Sequence, residues 1–161
     1  MAYVPNNRGF QLEGFAEFEQ QLLQLGEMGR ADLTARKTLV KALGAAMQPV
    51  YQYVVDNAPY DEDNKGPLHM RDTARIDARI PTERDQRSEY INPTDAAIAI
   101  VSVKQSAVSL AQEFGTSKMP DGNPFLRPAL DSNASRVLSN LKQELSYLIP
   151  AHAKRLNRKR K

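Results

Sequence analysis

The chain has 161 residues, 41% hydrophobic and 25% charged, which suits one globular domain with its own core. No run of about 18 apolar residues occurs, so no membrane-spanning helix is expected, and Met1 to Phe10 lacks the basic-then-apolar layout of a signal peptide. Cysteine is absent, which excludes disulfides, thiolate metal sites and thiol nucleophiles and fits synthesis in a reducing cytoplasm.

Residues 1–10, with Pro5, Asn6, Asn7 and Gly9, read as an irregular arm. Leu12, Phe15, Phe18, Leu22 and Leu25 recur at three- and four-residue spacing, which predicts a first helix. Glu13, Glu17 and Glu19 sit in its opening turns, where the helix dipole favours anions. Gly26 and Gly29 end or bend it. Asp32 can cap a second helix whose stripe runs through Leu33, Leu39, Val40, Leu43, Met47, Val50, Tyr51 and Val54 to Asn57. Pro49 predicts a kink, so the expectation is one bent helix.

Residues 59–69 form a polar loop. Ala74, Ile76, Ala78 and Ile80 then alternate with Thr73, Arg75, Asp77 and Arg79, the period of a half-buried strand, which Pro81 stops. After a charged connection, residues 96–103 (AAIAIVSV) are apolar on both faces, as in a strand covered on both sides or central in its sheet. Val108 to Phe114 reads equally as a short strand or a turn of helix. The last helix carries Leu126, Leu130, Ala134, Val137, Leu138, Leu141, Leu145 and Leu148 on one stripe. Asn123 serves as its cap, Pro124 lies in its first turn, and Pro150 ends it.

The final ten residues hold six of the chain's 22 basic side chains (Lys154, Arg155, Arg158, Lys159, Arg160, Lys161) and no acid. Residues 1–151 keep 16 basic against 19 acidic groups, so the net charge of +3 belongs to a tail. Such a run reads either as an arm that meets nucleic acid or another polyanion, or as a solvated terminus with no partner. The expected organisation is therefore the arm over 1–10, a single α+β domain over 11–150 and a basic flexible tail over 151–161. Its fold class is α+β, a small antiparallel or mixed sheet packed by long N-terminal and C-terminal helices.

Residues that could carry chemistry are few. His69 and His152 have no second ligand at metal spacing, and the eight glycines form no phosphate loop. Asp61, Asp63, Gly66 and Asp72 fall at positions 1, 3, 6 and 12 of a calcium-loop register. Lys65 stands where an oxygen ligand is needed, Asp72 replaces the bidentate Glu, and a strand pattern follows. A solvated acidic loop is the better reading. The carboxylates of Asp61, Glu62, Asp63, Glu83 and Asp85 lie in polar loops, where the raised pKa of an acid–base pair is not expected. Tyr51, Tyr53 and Tyr60 read as packing residues. No catalytic residue, metal ligand or cofactor site is assigned, and the chain reads as a non-enzyme.

One segment is more specific. Glu113-Phe114-Gly115-Thr116-Ser117-Lys118-Met119-Pro120, followed by Asn123-Pro124-Phe125-Leu126-Arg127-Pro128-Ala129-Leu130, closely resembles the hallmark of the tail-component family of long-tailed bacteriophages, the tail completion or head–tail joining (neck) proteins. Gly14-Phe15, Asn57-Ala58-Pro59 and Met70-Arg71-Asp72-Thr73 stand where that family places similar residues. The loop 61–67 departs from the family's more compact form. The resemblance spans about residues 10–149 and rests mainly on 113–130.

The motif residues read structurally. Gly115 permits a turn with positive φ. Pro120, Pro124 and Pro128 stiffen the approach to the helix. Phe125 and Leu126 pin the helix to the sheet, and Arg127 pairs with an acid in this subunit or a neighbour. The resemblance implies a structural virion protein that forms a homo-oligomeric ring at the head–tail junction, in a neck, connector or tail-terminator position. A hexamer is favoured over a dodecamer, with the phage connector or adaptor and tail-tube proteins as partners. Assembly would take place in the host cytoplasm, with Glu113, Phe114, Gly115, Thr116, Pro124, Phe125, Leu126, Arg127 and Pro128 as structural or interface residues and the six tail cations touching packaged DNA or the channel. The alternative is a non-specific nucleic-acid-binding module acting through the basic tail.

Overall fold

The computed structural model describes residues 33–159 apart from 64, 67, 93 and 94. The arm over 1–10, the helix expected over 12–25, the Asp32 cap, Arg160 and Lys161 lie outside the described residues. Helix α1 runs Leu33–Ala46 and α2 Gln48–Asn57, strand β1 Arg75–Arg79 and β2 Ile98–Ser102. Helix α3 is Ala107–Phe114 and α4 Arg127–Lys159, with short 3-10 turns at Arg71–Thr73 and Asp85–Arg87. The class is α+β with a small antiparallel sheet.

The single bent helix expected over 32–57 is two helices sharing a one-residue joint. Met47 (φ −80°, ψ −1°) donates its N–H to the Leu43 carbonyl at 3.1 Å and accepts from Val50 and Tyr51 at 3.1 Å each. Pro49 has no N–H to continue the ladder, but in the first turn of a new helix that lack costs little. Val108–Phe114, left open between strand and helix, is helical. Ser106 and Ser109 cap it reciprocally, the Ser109 N–H donating to Ser106 Oγ at 3.0 Å and the Ser106 N–H to Ser109 Oγ at 2.8 Å.

The sheet has two antiparallel strands in the register Ile76↔Val101, Ala78↔Ala99 and Arg79↔Ile98. One face turns Ala74, Ile76, Ala99, Val101 and Val103 onto a cluster of Met47, Val50, Val54, Ala58, Phe125 and Ala129. A second cluster joins Leu39, Ala42 and Ala46 of α1 to Leu141 and Leu145 of α4. The small alanines of α1 allow the close approach that seats α1 against α4. β2 pairs only with β1 among the described residues, which corrects the reading of a strand central in its sheet, one of the two that its apolar run allowed. Its second apolar row, Ile98 and Ile100, lies half-covered on the outer face beside Asp77 and Arg79.

Helix α4 departs from its expected outline at both ends. It begins at Arg127, so Pro124 precedes it and Pro128 occupies the first turn. Running from Phe125, just before the helix, the buried stripe continues through Ala129 and Asn133, an i+4 row one position off the leucines, and Leu130 is 50% exposed. The row could not be read by hydropathy because Asn133 is polar; its amide donates to the Ala129 carbonyl at 2.9 Å, so burial leaves that group satisfied. Pro150 does not end the helix, and the tail expected to be flexible is helical backbone as far as Lys159. A proline inside a long helix leaves one carbonyl without its partner. The strong helix formers Ala151, Ala153, Lys154, Arg155 and Leu156 carry the ladder onward, and cations in the last turns suit the negative end of the dipole. No helix among the described residues is long and apolar enough to cross a membrane.

Candidate functional site

The two halves of the 113–130 motif meet at one carboxylate. Glu113, in the last turn of α3, is 3% exposed. Its Oε2 accepts the N–H groups of Phe125 at 2.9 Å and Leu126 at 3.0 Å. Its Oε1 accepts the Arg127 N–H and Arg127 Nε, both at 3.0 Å. The Arg127 guanidinium also donates to the Glu113 backbone carbonyl. These are the amides leading into α4, which no residue of the helix itself can satisfy. The first turn of α4 contains no acid, so Glu113 supplies the negative charge that the helix dipole favours there. The expected Asn123 cap is not used; the Asn123 N–H instead donates to the Gln112 carbonyl at 2.6 Å.

Burial pushes the Glu113 carboxyl up, but the N–H groups of Leu126, Arg127 and Phe125, then the Arg127 guanidinium, outweigh it. The net effect holds the group below its ordinary value near 4.5. Glu113 is thus a fixed anion, with its oxygens committed to donors. That is the reverse of a general acid or base.

The turn between the halves is closed by backbone. Thr116 and Met119 form a bridge, the Thr116 N–H donating at 2.9 Å and the Met119 N–H at 3.1 Å. Gly115 has φ +81° as the sequence predicts, and a Cβ there would stand 2.2 Å from the Pro120 carbonyl oxygen. Gly122, which sequence reasoning passed over, has φ +61°, and a Cβ would stand 2.6 Å from the Gln112 carbonyl oxygen. Both positions demand glycine. Phe125 is buried at 1% exposure among Met47, Val50 and Val54, so it anchors the corner to α2 as well as to the sheet side. Arg127 pairs with Glu113 of the same chain, and its guanidinium lies 5.2 Å from the centre of the Phe114 ring.

Several large apolar side chains near this corner are exposed among polar ones such as Ser117, Lys118 and Asp121. Phe114 is 66% and Val108 60% exposed on α3, and Leu110, Met119 and Leu130 are also exposed. Beside α3 an open groove of about 470 Å³ is lined by Tyr60, His69, Met70, Lys104, Val108 and Gln112 among others. Tyr60 is 46% exposed, not packed in the core, and the Arg71 guanidinium lies 3.8 Å from its ring centre. His69 is tilted against the same ring at 4.4 Å.

The residues of the calcium-like register stay separate in purpose. Asp61 accepts the N–H of Asp63 at 3.0 Å and Asp72 that of His69 at 2.9 Å, each closing a local turn. Among the described residues no three His, Asp or Glu side chains converge to hold a metal. Of the tail cations, Lys154, Arg155, Arg158 and Lys159 fall on helical backbone and Arg158 is exposed. Compared with family models, curated proteins and solved structures, the chain matches none.

Proposed function

We propose that this chain is a structural, non-enzymatic subunit of a tailed-bacteriophage virion, forming a ring at the head–tail junction that joins the DNA-filled head to the tail. The observation that carries this reading is the Glu113 clamp. The halves of the motif that resembles the phage tail-component hallmark are joined by one carboxylate into a single rigid corner. Every motif residue with an identifiable partner does structural work there. Glu113 caps, Arg127 braces, Phe125 anchors, and Gly115 turns the chain.

Exposed Phe114 and Leu110, one turn apart on α3, supply the apolar surface that a subunit contact buries. A contact of this patch with a different face of a neighbouring copy is head-to-tail, and such contacts close into rings when the rotation closes. The expected ring is a hexamer, with a dodecamer as the alternative, seated between connector and tail-tube proteins.

The test is the mass of the purified protein by light scattering, followed by imaging of whole particles. A stable ring, or a monomer in solution that is found as a ring at the neck of particles, supports the reading. A strict monomer absent from particles overturns it.

A further inference from the structure

We infer that the C-terminal turns of α4 are a preformed cationic helix that binds the phosphate backbone of double-stranded nucleic acid. The inference begins with where the core stops. Leu141 and Leu145 are buried against α1 and Leu148 packs partly against the same cluster, whereas Pro150 and Ala151 are exposed. Helical backbone nonetheless continues to Lys159, 11 residues past Leu148, or about 16 Å. Among the described residues, Leu148 is the last member of the core cluster that α4 supplies.

Its sequence register is one-sided. At about 100° per residue, Lys154, Arg158, Arg155 and Lys159 occupy positions within an arc of about 140°, and Leu156, Ala153 and Asn157 take the opposite side. The last acid in the chain is Glu144, so no carboxylate in the extension offsets these cations. Residues 1–151 are net negative, so the chain's excess of positive charge lies in its last ten residues.

Unmixed positive charge on one side of a helix fits a polymer of uniform negative charge better than a protein surface, where the signs alternate. Each cation that meets a phosphate releases a counterion, and the binding carries no sequence preference. Helical backbone matters as well. A flexible arm would have to lose backbone freedom on binding, whereas helical backbone already fixes the positions along the chain that carry the cations. The inference stands apart from the ring reading, since one subunit suffices for it.

The test is fluorescence anisotropy of the full-length protein with a labelled DNA duplex of arbitrary sequence across a salt series. The comparison is with the quadruple variant Lys154→Gln, Arg155→Gln, Arg158→Gln, Lys159→Gln and with Ala153→Pro, which interrupts the helix and keeps every charge. The wild type is expected to bind with a steep log–log salt dependence, and the quadruple variant to lose about three to four units of that slope. Between 50 and 200 mM salt, four contacts correspond to roughly a hundredfold change in affinity. Ala153→Pro is expected to weaken binding severalfold at an unchanged slope. Equal slopes for wild type and quadruple variant overturn the inference. So does equal competition by polyglutamate, or tighter binding to phosphatidylserine vesicles than to the duplex. Unchanged affinity of Ala153→Pro overturns the preformed helix as its basis. A ring found without DNA binding, or DNA binding without a ring, separates this outcome from that of the ring reading.

Discussion

Glu113 and Asp85 each gather several donors around one carboxylate, but they tie together different lengths of chain. Asp85 accepts the N–H and hydroxyl of Thr82, both at 2.8 Å, and Arg79 at 2.6 and 3.3 Å. All its partners lie within six residues, and Arg79 and its other partner, Asp77, remain a third or more exposed. Glu113 reaches 12 to 14 residues along the chain and is itself buried. Loss of the first frees a loop that stays close by connectivity alone. Loss of the second strands three amides and a guanidinium at the junction of two helices. Donor count is similar in the two sites, and the two carboxylate side chains are both well covered, at 10% and 4% exposure; separation along the chain is what distinguishes them.

The largest expected effect is therefore at Glu113. Glu113→Ala removes the acceptor of buried donors and should cost about 3–5 kcal/mol of stability, measured by urea or thermal unfolding. Gly115→Ala acts on the same corner through the backbone. Its conformation (φ +81°, ψ 179°) is open only to glycine, and the added Cβ meets the Pro120 carbonyl, so a loss of about 3 kcal/mol is expected. A loss below about 1 kcal/mol for either would mean that the corner is not where the fold is joined.

Glu113→Gln keeps the shape and one acceptor oxygen, so its loss at neutral pH is expected to be smaller, about 1–3 kcal/mol. Its use is in pH dependence. The folded Glu113 carboxyl lies below its ordinary value near 4.5. Its stabilisation is thus fully present above the unfolded value and is lost as pH falls through the lower folded value. Wild-type melts should fall steeply below about pH 4.5, and Glu113→Gln melts should follow a shallower course. Arg127→Ala comes next, at about 1 kcal/mol or less, because the guanidinium is largely exposed and Glu113 keeps its three backbone donors.

This difference in reach also decides what could be read from the sequence. The helices of the core, the first strand and the turn at Gly115 were legible because periodicity and glycine chemistry are local signals. Asp85, Asp72 and Asp95 each accept an N–H from three residues earlier, a spacing that T-x-x-D, H-x-x-D and N-x-x-D display openly. Glu113 as a cap was hidden, since no local pattern links a helix end to an acid 12 residues upstream. Only the two motif halves, which resemble one hallmark, hinted that they belong together. The one-position error along the start of α4 has a related cause. Leu130 outranks Ala129 in hydropathy, yet the close approach that buries Phe125 beside α2 admits the smaller side chain. The continuation beyond Pro150 was missed because a proline weakens a helix without forbidding it, and the helix formers after it prevail.

Asp85→Asn is expected to have the smallest effect and sharpens the comparison most directly. Arg79 lies 2.6 Å from Asp85, and its guanidinium, with the Thr82 N–H and hydroxyl, holds that carboxyl well below the usual range. The pairing is local and water lies close, so salt screens it and the neutral amide still offers Thr82 one acceptor. Arg79 keeps Asp77. The expected outcome is faster hydrogen exchange at the amides of Thr82 and Asp85, with the global unfolding midpoint unmoved and the difference shrinking as salt is raised. The Asp85 amide, which donates to the Thr82 carbonyl at 3.0 Å, reports the turn directly. If the midpoint instead falls as far as for Glu113→Ala, separation along the chain does not govern what a carboxylate contributes here. The 82–87 turn would then have to be counted with the 113–127 corner as part of one cooperative unit.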